Sequence, residues 1–323
     1  MNVKIKTIEI MKSKKAILLG LILVLAFPIA AQITSTDAQL RSQESKAAED
    51  GWHAGGVTTV NFSQLYLSNW AAGGENSYSL NGLVSLFASY KKNSLTWDNT
   101  LDMGYGFVNQ YQSQGYRKTD DKFEFNSKVG YKAFSDFYYS GLLNFKTQFD
   151  KGYDYKADPE ALNPISKFLA PAYLTAALGL SYQPNRYFSA LIAPVTGRMT
   201  IVNDENLSSI GAFGVDPGSK TRMEFGGYIR TIYSKNDFKP EFLKNVTLTS
   251  KLDLFSNYLD NPQYIDVNWE VLISLKVNRF LSVNLNTNLV YDYDVKFADP
   301  DGGEPKDKVQ FKELLGVGFS LNF

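Results

Sequence analysis

From Lys122 to Ala133 the chain alternates with period two. Lys122, Glu124, Asn126, Lys128, Gly130 and Lys132 fall on one side, while Phe123, Phe125, Ser127, Val129, Tyr131 and Ala133 fall on the other. The preceding segment repeats the pattern, with Leu95, Trp97, Leu101, Met103, Tyr105 and Phe107 against Thr96, Asp98, Thr100 and Asp102. So do the segments from Ile265 to Val277, with Asp266, Glu270 and Lys276 on the polar side, and from Leu281 to Asp292. Such runs specify β-strands with one polar and one apolar face. At 11 to 13 residues they are about twice the usual globular length and close to what a tilted strand needs to cross a bilayer.

Twelve such segments are expected, near 52–62, 78–90, 95–108, 122–133, 137–149, 171–183, 186–196, 222–233, 245–257, 264–277, 280–293 and 309–323. Their connections alternate. Residues 91–94, 134–136, 184–185 and 278–279 are tight turns, whereas 109–121, 150–170, 197–221 and 294–308 are long and rich in Gly, Asp and Pro. The connections 234–244 and 257–263 fit this scheme less well; the first has room for a short helix. An even strand number, turns on one side and loops on the other predict an all-β fold: a transmembrane antiparallel up-and-down β-barrel of about 12 strands over residues 51–323.

The N-terminus agrees. Lys4, Lys6, Lys12, Lys14 and Lys15 precede an apolar run from Ala16 to Phe27, and small residues follow up to Ala31, which reads as a signal peptide over 1–31. The run is too short for a spanning helix. Residues 32–50, rich in Ser, Gln, Ala and Glu, read as a flexible periplasmic lead-in. At the other end Val317, Phe319, Leu321 and Phe323 alternate with Gly316, Gly318, Ser320 and Asn322. A strand ending on Phe resembles the sorting signal read by the barrel-assembly machinery of Gram-negative bacteria, which implies an outer-membrane destination and that machinery as a partner during biogenesis.

Composition narrows the function. Lys+Arg and Asp+Glu stand at 33 each, and removing residues 1–31 takes away five Lys and one Glu, leaving 28 basic against 32 acidic side chains, a net charge of −4. That argues against a nucleic-acid partner. With no cysteine, thiol catalysis and Cys-ligated metal are excluded, and the one histidine, His53, has no serine-bearing elbow near it. No enzyme and no cofactor are expected. The paired acids Asp98 and Asp102 read as lumen counter-charges rather than an acid/base pair. The loop Asp299-Pro-Asp-Gly-Gly-Glu304, with Asp294 and Asp307 nearby, lacks the spacing of a calcium loop and reads as a solvated acidic turn. The aromatic excess, 22 Phe, 20 Tyr and 4 Trp, finds its place in girdles at the two membrane interfaces, with Trp97, Tyr105, Phe107, Tyr131, Tyr187, Tyr233, Trp269, Phe280, Tyr291 and Phe323 near strand ends.

Several motifs then carry a resemblance: Trp52-His-Ala-Gly-Gly56, Asn69-Trp-Ala-Ala-Gly-Gly-Glu-Asn-Ser77, Trp97-Asp-Asn-Thr-Leu-Asp-Met-Gly-Tyr-Gly106, Lys118-Thr-Asp-Asp-Lys122 and Gln148-Phe-Asp-Lys-Gly-Tyr153. Over about residues 50–323 the chain resembles a family of Bacteroidota outer-membrane proteins catalogued only as a domain of unknown function. The resemblance implies an outer-membrane barrel and brings no ligand or site residues.

The polar faces define the candidate site. Lumen-facing charges are expected at Asp98, Asp102, Lys122, Glu124, Lys128, Lys132, Lys146, Arg222, Glu224, Arg230, Lys251, Asp253, Asp266, Glu270 and Lys276. A circular twelve-strand barrel would be about 24 Å across and would leave an opening of roughly 10 Å after side chains enter. Two readings stand: a narrow polar channel or transporter for small solutes, in which these charges select what passes, and a non-conducting structural or assembly barrel, filled by paired charges, that anchors protein partners.

Overall fold

The structure, a computed structural model, describes residues 50–67, 76–110, 115–155, 157–278, 280–297 and 306–322. The segments read as signal peptide and lead-in, most of the first outer loop, and Phe323 lie outside these residues.

Twelve strands close into an antiparallel barrel: β1 (Gly51–Leu65), β2 (Ser77–Lys92), β3 (Leu95–Gln110), β4 (Tyr116–Phe134), β5 (Phe137–Thr147), β6 (Ala172–Asn185), β7 (Phe188–Ile201), β8 (Thr221–Lys235), β9 (Val246–Asn257), β10 (Ile265–Lys276), β11 (Leu281–Tyr291) and β14 (Gln310–Asn322). A two-residue ribbon, β12 (Lys296–Phe297) with β13 (Lys306–Asp307), stands in the last loop. Each barrel strand pairs with its neighbour in the ring, and β14 returns to β1 over five residue pairs, so among the described residues no barrel strand lacks a partner on either side. Short turns join strands on the side that holds Gly51 and Asn322, and long connections lie on the other. The exception on the turn side is the segment between β8 and β9, which holds a 3-10 turn at Glu241–Leu243.

The barrel is inside out by the standard of a water-soluble fold. Among its most buried side chains are Glu124, Lys251, Asp102, Arg230 and Asp253, whereas Val60, Leu143, Leu178, Ile192, Ile229, Ile273 and Leu315 are exposed on the outer wall. Period-two alternation imposes this arrangement, because each strand has only two faces and the apolar one cannot also fill the interior.

Outward rings gather near both ends of the wall. On the turn side Trp52 packs between Tyr90 and Trp97 at 5.2 and 5.6 Å, and Phe137 stacks on Phe134 and Tyr182 at 4.9 and 4.7 Å. On the loop side Tyr78, Phe107 and Tyr116 meet edge to face, and Tyr264 stacks on Tyr293 at 3.9 Å. Trp97 and Phe107, at the two ends of β3, are about 25 Å apart along the barrel axis for a strand tilted by about 40°, the height of an apolar membrane band. Of the residues expected in the girdles, Trp97, Tyr105, Tyr131, Tyr233, Trp269 and Phe280 are exposed.

Two elements depart from the expected boundaries by five residues or more. β4 begins at Tyr116 rather than Lys122, so the loop expected over 109–121 shrinks to the segment between Gln110 and Tyr116. β7 runs on to Ile201 through a bulge, where Pro194 and Val195 are both exposed and the ladder to β8 skips from Ala193 to Thr196. The bulge tolerates a proline because Pro194 has no ladder partner. It also switches which residues point inward, from Leu191 and Ala193 to Thr196, Arg198 and Thr200. Across from it on β6, Gly179 meets the β7 backbone so closely that a Cβ would lie 2.0 Å from the Ile192 carbonyl oxygen.

Candidate functional site

Antiparallel register brings the inward charges into opposition strand by strand. Asp98 faces Lys128, Lys146 faces Glu124, Lys251 faces Glu270, and Asp253 faces Arg230. Such directly opposed pairs of unlike charge stabilise neighbouring strands. The Arg230 pair is bidentate, with Nε to Asp253 Oδ1 at 2.6 Å and Nη2 to Oδ2 at 3.0 Å, and the Tyr228 hydroxyl donates to the same Oδ1 at 2.7 Å.

The interior does more than pair neighbours. Glu124, with no solvent exposure, accepts from Lys251 at 2.6 Å and from Asn144 at 2.9 Å, and has Lys122 at 3.2 Å, Lys146 at 3.7 Å and Arg230 at 3.9 Å. Four cations therefore converge on one carboxylate. Lys251 lies on β9 and Glu124 on β4, with four strands between them on the shorter way round the ring. Lys122 on β4 reaches Glu270 on β10 at 2.9 Å, and these strands are six steps apart in a ring of twelve, which makes them diametrically opposite. Arg230 on β8 also donates to Asn126 on β4 at 2.6 Å. A circular twelve-strand section of about 24 Å is wider than an extended Lys and Glu can bridge. The barrel is therefore flattened along the β4–β10 direction, and the expected residual opening of roughly 10 Å is absent at this level.

Beside this plug an apolar cluster runs from Leu142, Ala177, Leu191 and Ala193 to Tyr228 and Phe255, the last two loop-ward of Arg230 and Asp253 on their strands, and the 3.9 Å pair of Lys128 with Asp98 lies on the turn side. Asp102 is held by the Ser85 hydroxyl. On the loop side a second charged group stands higher in the wall. Arg198 binds Glu224 through two hydrogen bonds of 2.7 and 2.8 Å, pairs with Asp266 at 2.6 Å and lies over the Phe255 ring; Arg222 pairs with Asp294 at 2.6 Å and with Glu224 at 3.4 Å. Between the two charged groups is a chamber of about 370 Å³, walled by residues that include Lys146, Tyr173, Arg198, Glu270 and Asn288, and reaching Gln148, Pro171 and Asp292 at the loop-side strand ends.

All fifteen expected lumen charges lie on the polar face of their strands, with unequal parts. Lys122, Glu124, Lys146, Arg230, Lys251, Asp253 and Glu270 join the plug, while Arg222, Glu224 and Asp266 join the upper group. Lys132 is exposed near the turn to β5, and Lys276 is half-buried at the end of β10. Arg198 and Asp120, which binds Lys312 at 2.7 Å, are not among the expected charges because they fall in the expected loops 197–221 and 109–121. His53 is half-buried on the inner face of β1. In the acidic loop, Asp294 is taken up by Arg222, and Asp307 accepts from the Tyr291 hydroxyl at 2.5 Å and pairs with Lys296; residues 298–305 lie outside the described residues. Among the described residues no three metal-ligating side chains come together. Val317 and Phe319 point outward from β14, while the Leu321 side chain and Phe323 lie outside the described residues.

The chamber rim is tied down by two loops. The segments either side of Ala170 and Val202 share a small apolar core with Leu207 and Val215, and a short helix, α1 (Glu205–Ser209), is capped by Asp204, which accepts from the Leu207 amide at 3.0 Å and binds Lys167. The Lys167 ammonium, followed by the Leu207 amide, holds the Asp204 carboxyl below its ordinary value. A carboxyl whose folded value is depressed stabilises the loop above its unfolded pKa of about 3.9 and loses that contribution as pH falls through the lower folded value. Limited proteolysis of 202–220 should therefore be slow at neutral pH and accelerate below about pH 4. Asp204→Ala should cleave fast at both pH values, with a cost of about 1 kcal/mol to the loop; a pH-independent wild-type rate would remove Asp204 as the clasp.

Residues 62–153 match the model of a family described as protein of unknown function (DUF3078). No curated protein matches the chain. Among solved structures, an outer membrane channel from Pseudomonas putida F1 is 12% identical with a TM-score of 0.38, covering 86% of this chain and 97% of that one. The NanC porin is 10% identical with a TM-score of 0.35, covering 83% and 100%. The Salmonella typhi outer membrane phospholipase, a dimer with bound calcium, is 12% identical with a TM-score of 0.37, covering 88% and 98%.

Proposed function

We propose that this chain is an integral outer-membrane barrel, non-enzymatic and closed across its lumen at rest, which holds a polar chamber for a small solute on its loop side. The observation that carries the reading is the pair of cross-lumen contacts, Lys122 with Glu270 and Lys251 with Glu124. A permeating ion would have to part them, in surroundings where unpaired charges cost several kcal/mol. Membrane insertion is supported by the apolar outer wall and the two aromatic girdles. Lipid is then its principal partner, and the alternating outward residues of β14 fit recognition by the assembly machinery.

The second reading, an open channel, draws on the same chamber, which would be its outer vestibule. Recording purified full-length protein in planar bilayers separates the two. The expected result is no steady current from the wild type and a measurable one from the double variant Lys122→Ala/Glu270→Ala, which removes one of the two cross-lumen contacts as a pair and so widens the plug. A steady wild-type conductance would establish the channel instead.

A further inference from the structure

The barrel wall is not uniformly closed. Every other pair of neighbouring strands is laddered over ten or more residues, but among the described residues β1 and β14 pair only from Val57–Asn322 to Asn61–Gly318. Continuing that register would set Phe62 opposite Val317 and Leu65 opposite Leu314. These residues remain paired on their other sides, Phe62 with Leu80 on β2 and Val317 with Val283 on β11, yet not with each other. The parting begins at Gly316-Val317-Gly318, where the Asn61 side chain lies across β14 so closely that a Cβ on Gly316 would come 2.9 Å from its Cγ. Asn61 Oδ1 is buried there with no hydrogen-bond partner among the described residues. The paired part of the seam is on the turn side, and the unpaired part is on the loop side, level with the chamber.

Unpaired backbone edges are not tolerated against hydrocarbon, where each unsatisfied N–H or C=O costs several kcal/mol. Among the described residues no ladder partner meets these edges across the seam, and a polar occupant would satisfy them. The two approaches to the gap differ in character. Outside it, Phe62, Phe311, Leu315 and Val317 are exposed and apolar. Inside it, Lys312 of β14 points into the chamber beside its polar wall. An occupant of this slot must be polar at its inner end and apolar at its outer end. We infer that the loop-side half of the β1–β14 seam is a lateral portal through which the polar headgroup of a membrane amphiphile reaches the chamber. The inference rests on the membrane-embedded reading above and names the class of solute.

The absence of cysteine from the sequence makes the test direct. In full-length protein reconstituted in phosphatidylcholine vesicles, Val60→Cys/Phe319→Cys, a laddered pair, should form a disulfide on mild oxidation almost completely, and Phe62→Cys/Val317→Cys should form almost none. Equal yields would overturn the portal. Bimane attached at Asn288→Cys, in the chamber wall, should be quenched by phosphatidylcholine carrying a nitroxide on its headgroup. Bimane at Ile273→Cys, on the outer wall, should be quenched by an acyl-chain nitroxide whether or not a portal exists. Loss of the Ile273 signal would overturn membrane embedding, whereas loss of the Asn288 signal alone would overturn the portal. A polypeptide crosslinked to Phe62→Cys would also overturn it, in favour of strand addition at the open edge.

Discussion

Glu124→Gln is expected to lower the stability of the folded barrel by about 3–5 kcal/mol, the scale on which one partner of a buried charge network is removed. The variant keeps the volume of the side chain and deletes its charge. Lys251, Lys122, Lys146 and Arg230 would then face one another with only Asp253 and Glu270 left to share. Against a total stability of about 5–15 kcal/mol for a typical domain, that is a large fraction. The loss should appear as a lower midpoint of heat-modified migration on gels and of urea unfolding in detergent. The double variant Glu124→Gln/Lys251→Met should recover much of it, because a paired charge is removed as a unit rather than orphaned. A change within about 0.5 kcal/mol for Glu124→Gln alone, the range of an ordinary surface substitution, would show that the cations are hydrated rather than held by Glu124.

The second large effect concerns the outer wall. Trp269 is exposed, and its indole donates to Ser250 of the adjacent β9 at 2.9 Å. In a bilayer Trp269→Arg should cost up to about 2–4 kcal/mol, depending on its depth, while Trp269→Leu, which keeps an apolar side chain, should cost less. Arginine at Ile210, exposed in the loop after α1, should leave stability within about 0.5 kcal/mol. Equal tolerance of Arg at 269 and 210 in lipid vesicles would mean that the outer wall does not face hydrocarbon.

The fold was legible because a closed barrel with a polar interior and an apolar outer wall makes each strand alternate, with apolar residues on one face and polar residues on the other. Where that constraint lapses, the reading failed. Arg117, Lys118, Thr119, Asp120 and Asp121 are polar on both faces, so the first part of β4 resembles a loop, although the strand already begins at Tyr116. At Pro194–Val195 the bulge breaks the alternation of β7, and Arg198 beyond it falls in the expected loop 197–221 although the strand continues to Ile201. Pairs between consecutive strands, such as Asp98 with Lys128, follow from antiparallel order with short turns. The Lys122–Glu270 contact does not, because it depends on how far the ring is flattened, and local pattern carries no record of that.

The plug also orders events during folding. Its contacts join residues 148 and 127 positions apart, Lys122 with Glu270 and Lys251 with Glu124, whereas each hairpin ladder is local in sequence. Hairpins can therefore zip early, but contacts of such long range carry a loop-closure entropy that must be met before they yield anything. Until the ring is complete, the inner faces stay hydrated and their charges keep one another apart. Dehydration and pairing then become a single late, cooperative step. With so short a ladder between the first and last strands, the finished cylinder is held shut mainly by its contents, much as a tied bundle is held by the cord at its centre rather than by the join in its bark.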